Sequence, residues 1–395
     1  MNISTKAIIA VLLVMFLSCT SNVVELKNSM KGKLKSTYRL TLMQDKKYKL
    51  DSVTSPKSQY MQIYAPAKDS LMLTFLNKYT NNIYIYDYLH LGLKRRIVLK
   101  KDGADGIKAP LGYFIKNYDS VYVYNKINSE LVLINDAGKV LSRISLINNQ
   151  SFRDLTWTYH YPQYFPTTSA PMVSNGRQII FSGQYMLSLP DSVAKSFKLE
   201  AHINFDNNKV DFWRKYPDSL YGHNYFWENE GTFTFVYYDL IPDNKVVYSF
   251  PVSHDIYLAG IESDSYSTRY AGSNEAAVIS SFEKSMPYKE LLLKMCKMDL
   301  YAAIKYDPYR KVYYRFLRKA IPDATYKTVL KDKPLTIIMY DGDFKYLGET
   351  AVGTCRNFNW ENSFVTAEGL NIEYIDENDL TEEYLNIKLF IPQKI

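Results

Sequence analysis

From residue 38 onward the chain is a succession of short runs in which large apolar residues alternate with polar ones. "NNIYIYDY" (81–88), "KRRIVLK" (94–100), "DSVYVYNK" (119–126), "ELVLIND" (130–136) and "KVLSRISL" (139–146) set the theme. It returns at 200–216, 245–261, 335–350, 370–379 and 384–392. A period of two places successive side chains on opposite faces of a strand, so each run predicts one β-strand or a hairpin. The runs break at "DAG", "DNN" and "DGD", residues that tolerate the positive φ tight hairpins require. One stretch breaks the rhythm. In "YKELLLKMCKMDLY" (288–301), Leu292, Cys296 and Leu300 fall on one helical stripe and Leu291, Met295 and Met298 on another. This predicts a single inserted helix, with Cys296 in the core.

The runs repeat at a regular distance. Asp87 and Asp136 lie 49 positions apart, as do Asp206 and Asp255. A Trp-Glu-Asn triplet occurs at Trp227 and again at Trp360, which predicts one blade strand used twice. Antiparallel units of this length without interleaved helices predict an all-β fold, a β-propeller of about six four-stranded blades. Six blades over residues 38–395 would average about 60 residues each, longer than a compact blade. Inserted loops are therefore required, and 150–175 and 262–300 are the expected places. A pair of β-sandwiches is the rival architecture, and the repeated spacing weighs against it.

The N-terminus follows a different pattern. Ala7 to Leu17 is an unbroken apolar run, preceded by Lys6 and followed by Ser18 and Cys19. Eleven helical residues cover about half of a ~30 Å hydrocarbon core, so a permanent span is not expected. A cysteine directly after such a run resembles a bacterial lipoprotein processing box, although Phe16 and Leu17 stand where Leu and a small residue are usual. The resemblance implies a signal peptide over 1–18, lipid attachment at Cys19, and a membrane anchor worth ~0.8 kcal/mol per buried CH₂. The alternative is an ordinary secretory signal with an incidental cysteine. Residues 19–37, polar and weakly patterned, are expected to be a tether, and 38–395 the propeller domain.

Composition adds less. The 36 tyrosines and 19 phenylalanines suit pleated, half-buried surfaces. A formal charge of +7, lowered by one on loss of Lys6, is too mild over this length for a nucleic-acid partner. Cys296 and Cys355 could pair in an oxidising compartment or remain thiols. The five histidines lie far apart, so neither a metal nor a cofactor is expected.

The stretch "KKDGADGIKAPLGYFIKNYDSVYVYNKINSELVLINDAGKV" (100–140) resembles a blade junction of six-bladed, TolB-like propeller lipoproteins of Bacteroides-type bacteria. Ala104 stands where their loop usually has proline. "KYDPYRKVYYRFLRKA" (305–320) is similar to a segment of one sub-family labelled a domain of unknown function. The resemblance implies the fold and a cell-envelope address, a lipid-anchored outer membrane position. "TSNVVE" after Cys19 lacks the acidic cluster associated with surface export in these lipoproteins, which favours a periplasm-facing orientation. It transfers no catalytic residue.

Candidate chemistry is sparse. No nucleophile elbow, phosphate loop or zinc motif is present, and "DGADG" (102–106) reads as a glycine turn between blades rather than a calcium loop. Residues 305–333 hold nine Lys/Arg against Asp307, Asp323 and Asp332. The preferred reading is a strand with solvated cations on one face and packed aromatics on the other. Arg310 and Arg315 are the candidate contacts should that run instead hold an anionic ligand. Trp227 beside Glu228 and Trp360 beside Glu361 are candidate sugar-stacking platforms. The functional expectation is a binding or scaffolding module for a glycan, a peptide or an envelope protein. The alternative is a polysaccharide-active hydrolase or lyase with loop-borne catalytic residues. An acidic cluster converging on the channel mouth would favour the enzyme.

Overall fold

Burial along the strands rises and falls with their place in a blade. The computed structural model describes residues 23–395 except 57, 59, 78, 187–190, 223–224, 228–230 and 284. Cys19 and Glu228 therefore lie outside the described residues. Blade one is β3 (Met61–Ala67), β4 (Ser70–Asn77), β5 (Asn82–Asp87) and β6 (Leu93–Val98). In β5 the first five of six residues are buried, whereas β6 is mostly exposed. The third strand is covered by neighbouring blades on both faces, and the fourth lies at the outer edge.

Blade two is β7 (Pro110–Asn117), β8 (Ser120–Asn125), β9 (Glu130–Ile134) and β10 (Val140–Ser145). Blade three is β11 (Val173–Ser174), β12 (Gln178–Ser182), β13 (Glu200–Asn204) and β14 (Val210–Trp213). Blade four is β15 (Tyr237–Ile241), β16 (Lys245–Ser249), β17 (Asp255–Gly260) and β18 (Ser267–Tyr270). Blade five is β20 (Leu300–Asp307), β21 (Val312–Arg318), β22 (Pro334–Asp341) and β23 (Tyr346–Thr354). Blade six joins the two ends of the chain. Its inner strands are β24 (Phe358–Thr366), β25 (Gly369–Tyr374) and β26 (Tyr384–Lys394), and its outermost strand is β2 (Tyr38–Lys49). The pairing of β2 with β26 runs from Tyr38 opposite Lys394 to Lys49 opposite Tyr384, closing the ring through a ladder of backbone hydrogen bonds. The protein is a six-bladed β-propeller.

The two rims differ. Connections 146–172, 183–199, 214–236, 271–299, 319–333 and 375–383 all emerge on one side, the loop rim. On the opposite turn rim each hairpin turns within six residues or fewer. Several of those turns use positive φ at Asn208, Asp243, Asn244, Lys311 and Phe344, the conformation that Asn and Asp adopt most readily among residues with a side chain. In the "DAG" turn only glycine fits. Gly138 has φ 75°, and a Cβ there would come within 2.1 Å of the Val98 carbonyl oxygen.

Several sequence expectations are corrected. The helix runs from Tyr288 to Lys297. Leu300 and Tyr301 instead belong to β20, paired with Arg318 and Leu317. Cys296 is buried, and both Cys296 and Cys355 are free thiols. Asp87 closes the third strand of its blade and Asp136 lies in the turn just after the third strand of the next, so that spacing does mark a repeat to within a residue or two. Asp206 follows the third strand of its blade, whereas Asp255 begins the third strand of the next, so that second coincidence in spacing has no structural basis. Trp227 lies in the 214–236 connection and Trp360 in β24, so the triplet is not a repeated strand.

Residues 23–37 are docked rather than free. β1 (Glu25–Leu26) pairs with β19 (Ile279–Ser280). Asn28 Nδ2 donates to the carbonyls of Ser273 and Ala276 at 2.7 and 3.0 Å, and Leu34 N donates to Asn274 Oδ1 at 2.8 Å.

Candidate functional site on the loop rim

Strand β21, the centre of the basic run 305–333, presents no solvated face, and the exposed cations Lys311, Lys327 and Lys331 lie in the flanking loops. Strand β21 is the second strand of its blade and all seven of its residues are buried, so its cations must find partners inside the protein. Arg315, 0% exposed, donates to Ser249 Oγ at 3.0 Å and to the carbonyls of His254, Ala271 and Ser253 at 3.0, 2.7 and 2.7 Å. Its guanidinium also lies 3.9 Å from the Tyr301 ring centroid. It pins blade five to the connections of blade four. Lys333 donates to the carbonyls of Met295, Cys296 and Met298 at 2.9, 3.1 and 2.7 Å, which caps the helix C-terminus. Arg310 bridges Asp307 Oδ2 at 3.1 Å and the carbonyls of Ala367 and Glu368 on blade six at 3.0 and 2.9 Å.

The candidate tryptophans are interior. Trp227 is 1% exposed, donates from Nε1 to the Leu220 carbonyl at 2.6 Å and packs on Phe233 and Phe282. Trp360, 6% exposed, sits between Tyr237 and the Arg318 guanidinium. Neither indole offers a free face for a sugar, and the two do not gather with Arg310 or Arg315.

A trough of about 790 Å³ lies at the loop-rim end of blade six. The end of the 50–60 connection, the 319–333 loop and the 375–383 loop bound it. Its lining includes the carboxylates of Glu361, Asp376, Glu377, Asp379 and Glu382 against the cations Lys331 and Arg356, with Tyr374 and Tyr384 as aromatic surface. Arg356 is engaged by Asp332 and Glu377. In a chain of net positive charge, this is an acidic site.

Glu361 reaches the trough because β24 bulges. Asn359 pairs with Glu373 and Ser363 with Ile372, so Trp360, Glu361 and Asn362 stand opposite no residue of β25. Extra residues of this kind re-aim side chains and recur beside functional sites. Here Trp360 turns into the packing, Asn362 is buried, and Glu361 remains exposed to the trough. The surrounding protein raises the pKa of Glu361, and Arg318 and Lys331 partly offset this.

Behind the bulge lies a buried polar chain. Glu373 Oε2 accepts from Asn359 Nδ2 and from Asn362 Nδ2, the latter at 2.7 Å. Asn362 Nδ2 also donates to the Ser58 carbonyl at 2.6 Å, and Asn362 Oδ1 accepts from Thr168 Oγ1 at 2.6 Å. The Thr168 carbonyl in turn accepts from Lys305 Nζ at 2.7 Å. Glu373 is 1% exposed, and burial, reinforced by the charge of Glu361, pushes its pKa up to about 8. It is mostly neutral at pH 7, and its Oε1 has no partner within the protein. The site therefore holds the accessible carboxyl group of Glu361 in front of the buried neutral carboxyl of Glu373, inside an acidic rim. Such an arrangement suits an ammonium group or a set of hydroxyls.

Of these residues, Glu361 is marked in the sequence by its tryptophan neighbour. Glu373, Asn359 and Asn362 are not. The one available signal is the acidic run "IDEND" (375–379) closing a strand, which forms the outer wall of the trough.

Fold and site together define a six-bladed propeller with one elaborated rim. The chain belongs to the family described as a domain of unknown function, DUF4221, whose model matches residues 37–351. The crystal structure of a DUF4221 member from Bacteroides vulgatus ATCC 8482 superposes with a TM-score of 0.77 at 20% identity, covering 91% of this chain and 99% of that one. A Bacteroides fragilis NCTC 9343 protein, named as a candidate exported protein, superposes with a TM-score of 0.50 at 11% identity, covering 90% and 95%. No curated protein matches the chain.

Proposed function

We propose that the protein is a lipid-anchored cell-envelope propeller whose loop rim binds a ligand in the trough of blade six. The observation that carries the binding role is the bulge in β24, which delivers Glu361 into an acidic trough of about 790 Å³. The ligand class this chemistry favours is amine-bearing or polyhydroxylated, a basic peptide segment or a glycan. Glycan and basic-peptide arrays probed with the wild-type chain and with Glu361→Gln test it. The expected result is a ligand retained by the wild type and weakened by the substitution; binding indifferent to Glu361 overturns the assignment.

Anchoring rests on Cys19 after the apolar run, and the B. fragilis neighbour's description as a candidate exported protein supports export. Cys19→Ala is expected to move the chain from the membrane to the soluble fraction, and unchanged retention overturns the anchor.

A second reading is favoured by one specific observation. Glu361 and the neutral Glu373 place two carboxyl groups in unlike environments, one accessible and one buried, beside one trough, the pairing on which polysaccharide hydrolysis or elimination is built. Turnover of a bound glycan, lost in Glu361→Gln while binding persists, would select the enzyme over the binding module.

A further inference from the structure

We infer that the loop rim is the face apposed to the membrane, lying against an anionic phospholipid surface through the sector between blades four and five. The inference rests on the anchoring reading above and adds an orientation to it. Its first support is the path of the N-terminal segment. Thr37 N donates to the Leu347 carbonyl, beside the turn-rim end of β23. Further back, Leu26 O accepts from His254 Nε2 at 3.1 Å, and Val24 N donates to Ser281 Oγ at 2.9 Å. His254 and Ser281 both belong to loop-rim connections, so the segment climbs the outer edge of the ring and has reached the loop rim at Val24. Only four steps separate Val23 from Cys19, a reach of about 14 Å at full extension. A tether free from 19 to 37 would let the propeller face any way. The docked segment does not.

The second support is what the rim presents there. Val278, Tyr288, Tyr326 and Val329 are 47%, 55%, 69% and 48% exposed, large apolar side chains held out on connections rather than packed. Among the described residues of these two connections, exposed Lys289, Lys294, Lys297 and Lys327 outnumber exposed Glu283, Glu290 and Asp323 once the Lys319–Glu275 pair and Lys331, which lines the trough, are set aside. Apolar tips among lysines match a headgroup layer, in which the tips enter the interface and the cations meet phosphates. The acidic trough lies on the blade-six side of the 319–333 connection. An anionic surface attracts the first sector and repels the second, which tilts the ring and leaves the trough open to the aqueous side.

The test uses the full chain, lipidated in its host, in phosphatidylcholine–phosphatidylglycerol vesicles and in detergent. Hydrogen exchange is expected to slow in vesicles over 275–297 and 319–333 and to remain unchanged over the turns 308–311 and 342–345. In the Tyr288→Asp, Tyr326→Asp double variant, that protection should disappear while the chain stays vesicle-bound and its unfolding midpoint is unaltered. Protection at the turns, or at neither rim in a chain that remains vesicle-bound, overturns the orientation and leaves the anchor standing. Loss of the anchor is read separately, from vesicle retention of Cys19→Ala.

Discussion

Blades five and six treat charge in opposite ways. In blade five, Arg315 and Lys333 are enclosed and bound to backbone carbonyls, with no carboxylate bonded to either among the described residues. In blade six, Glu361 and its acidic neighbours line open space. Arg315 is fixed on a strand buried on both faces, and Lys333 against the carbonyls that end the helix. The carboxylate is freed by a bulge that takes Glu361 out of the ladder. Charge in the first blade builds the ring, and charge in the second is available to a ligand. Stability should therefore depend on blade five and binding on blade six.

The largest separation is expected at Arg315. Arg315→Met leaves three carbonyls and the Ser249 hydroxyl without their donor inside the packed ring, and should cost about 3–5 kcal/mol. A fall in the urea midpoint with unchanged slope reads this out; a loss below about 1 kcal/mol would show that the guanidinium is not the pin between blades four and five. Lys333→Met removes three hydrogen bonds from one helix end and should cost about 1–3 kcal/mol. Faster amide exchange confined at first to Tyr288–Lys297 is the expected signature, because those carbonyls lose their cap.

Much of this contrast was hidden in the sequence for definable reasons. Hairpins were legible because a period of two and an Asp or Asn turn are local signals, and six blades followed from counting them. The fate of a lysine or arginine on a strand was not. Arg315 alternates with aromatics in the same way whether its strand is the second or the fourth of a blade, and only the second is covered on both sides. The bulge was illegible for a related reason. "FNWENSFVT" reads as one continuous strand, and nothing local marks Trp360–Asn362 as unpaired; the mismatch exists only against β25. Docking of residues 23–37 escaped notice because its partners, Ser273 to Ser281, lie some 250 positions away.

The pH dependence of stability should sharpen the comparison from blade six. Glu373 has its pKa raised from 4.5 to about 8, so between those values the folded chain holds a proton that the unfolded chain has released. Its contribution is fully present below pH 4.5 and is lost as pH rises through about 8. Glu373→Gln keeps a neutral donor in place and should flatten that decline, making the variant the more stable form at pH 8. A wild-type slope that survives the substitution would place the titrating group elsewhere.

The smallest expected effect completes the contrast. Among the described residues Glu361 has no side-chain hydrogen bond to the ring, and burial by the protein around it disfavours its charge. Glu361→Gln should therefore change stability by no more than about 0.5 kcal/mol, the range of a substitution outside the core, while weakening whatever the trough retains. Set beside Arg315→Met, this gives a double dissociation: one substitution lowers the unfolding midpoint through the framework, and the other lowers occupancy without touching it. If Glu361→Gln instead destabilised the ring by several kcal/mol, the bulge would be a structural device, and the trough beside it an incidental gap between long loops.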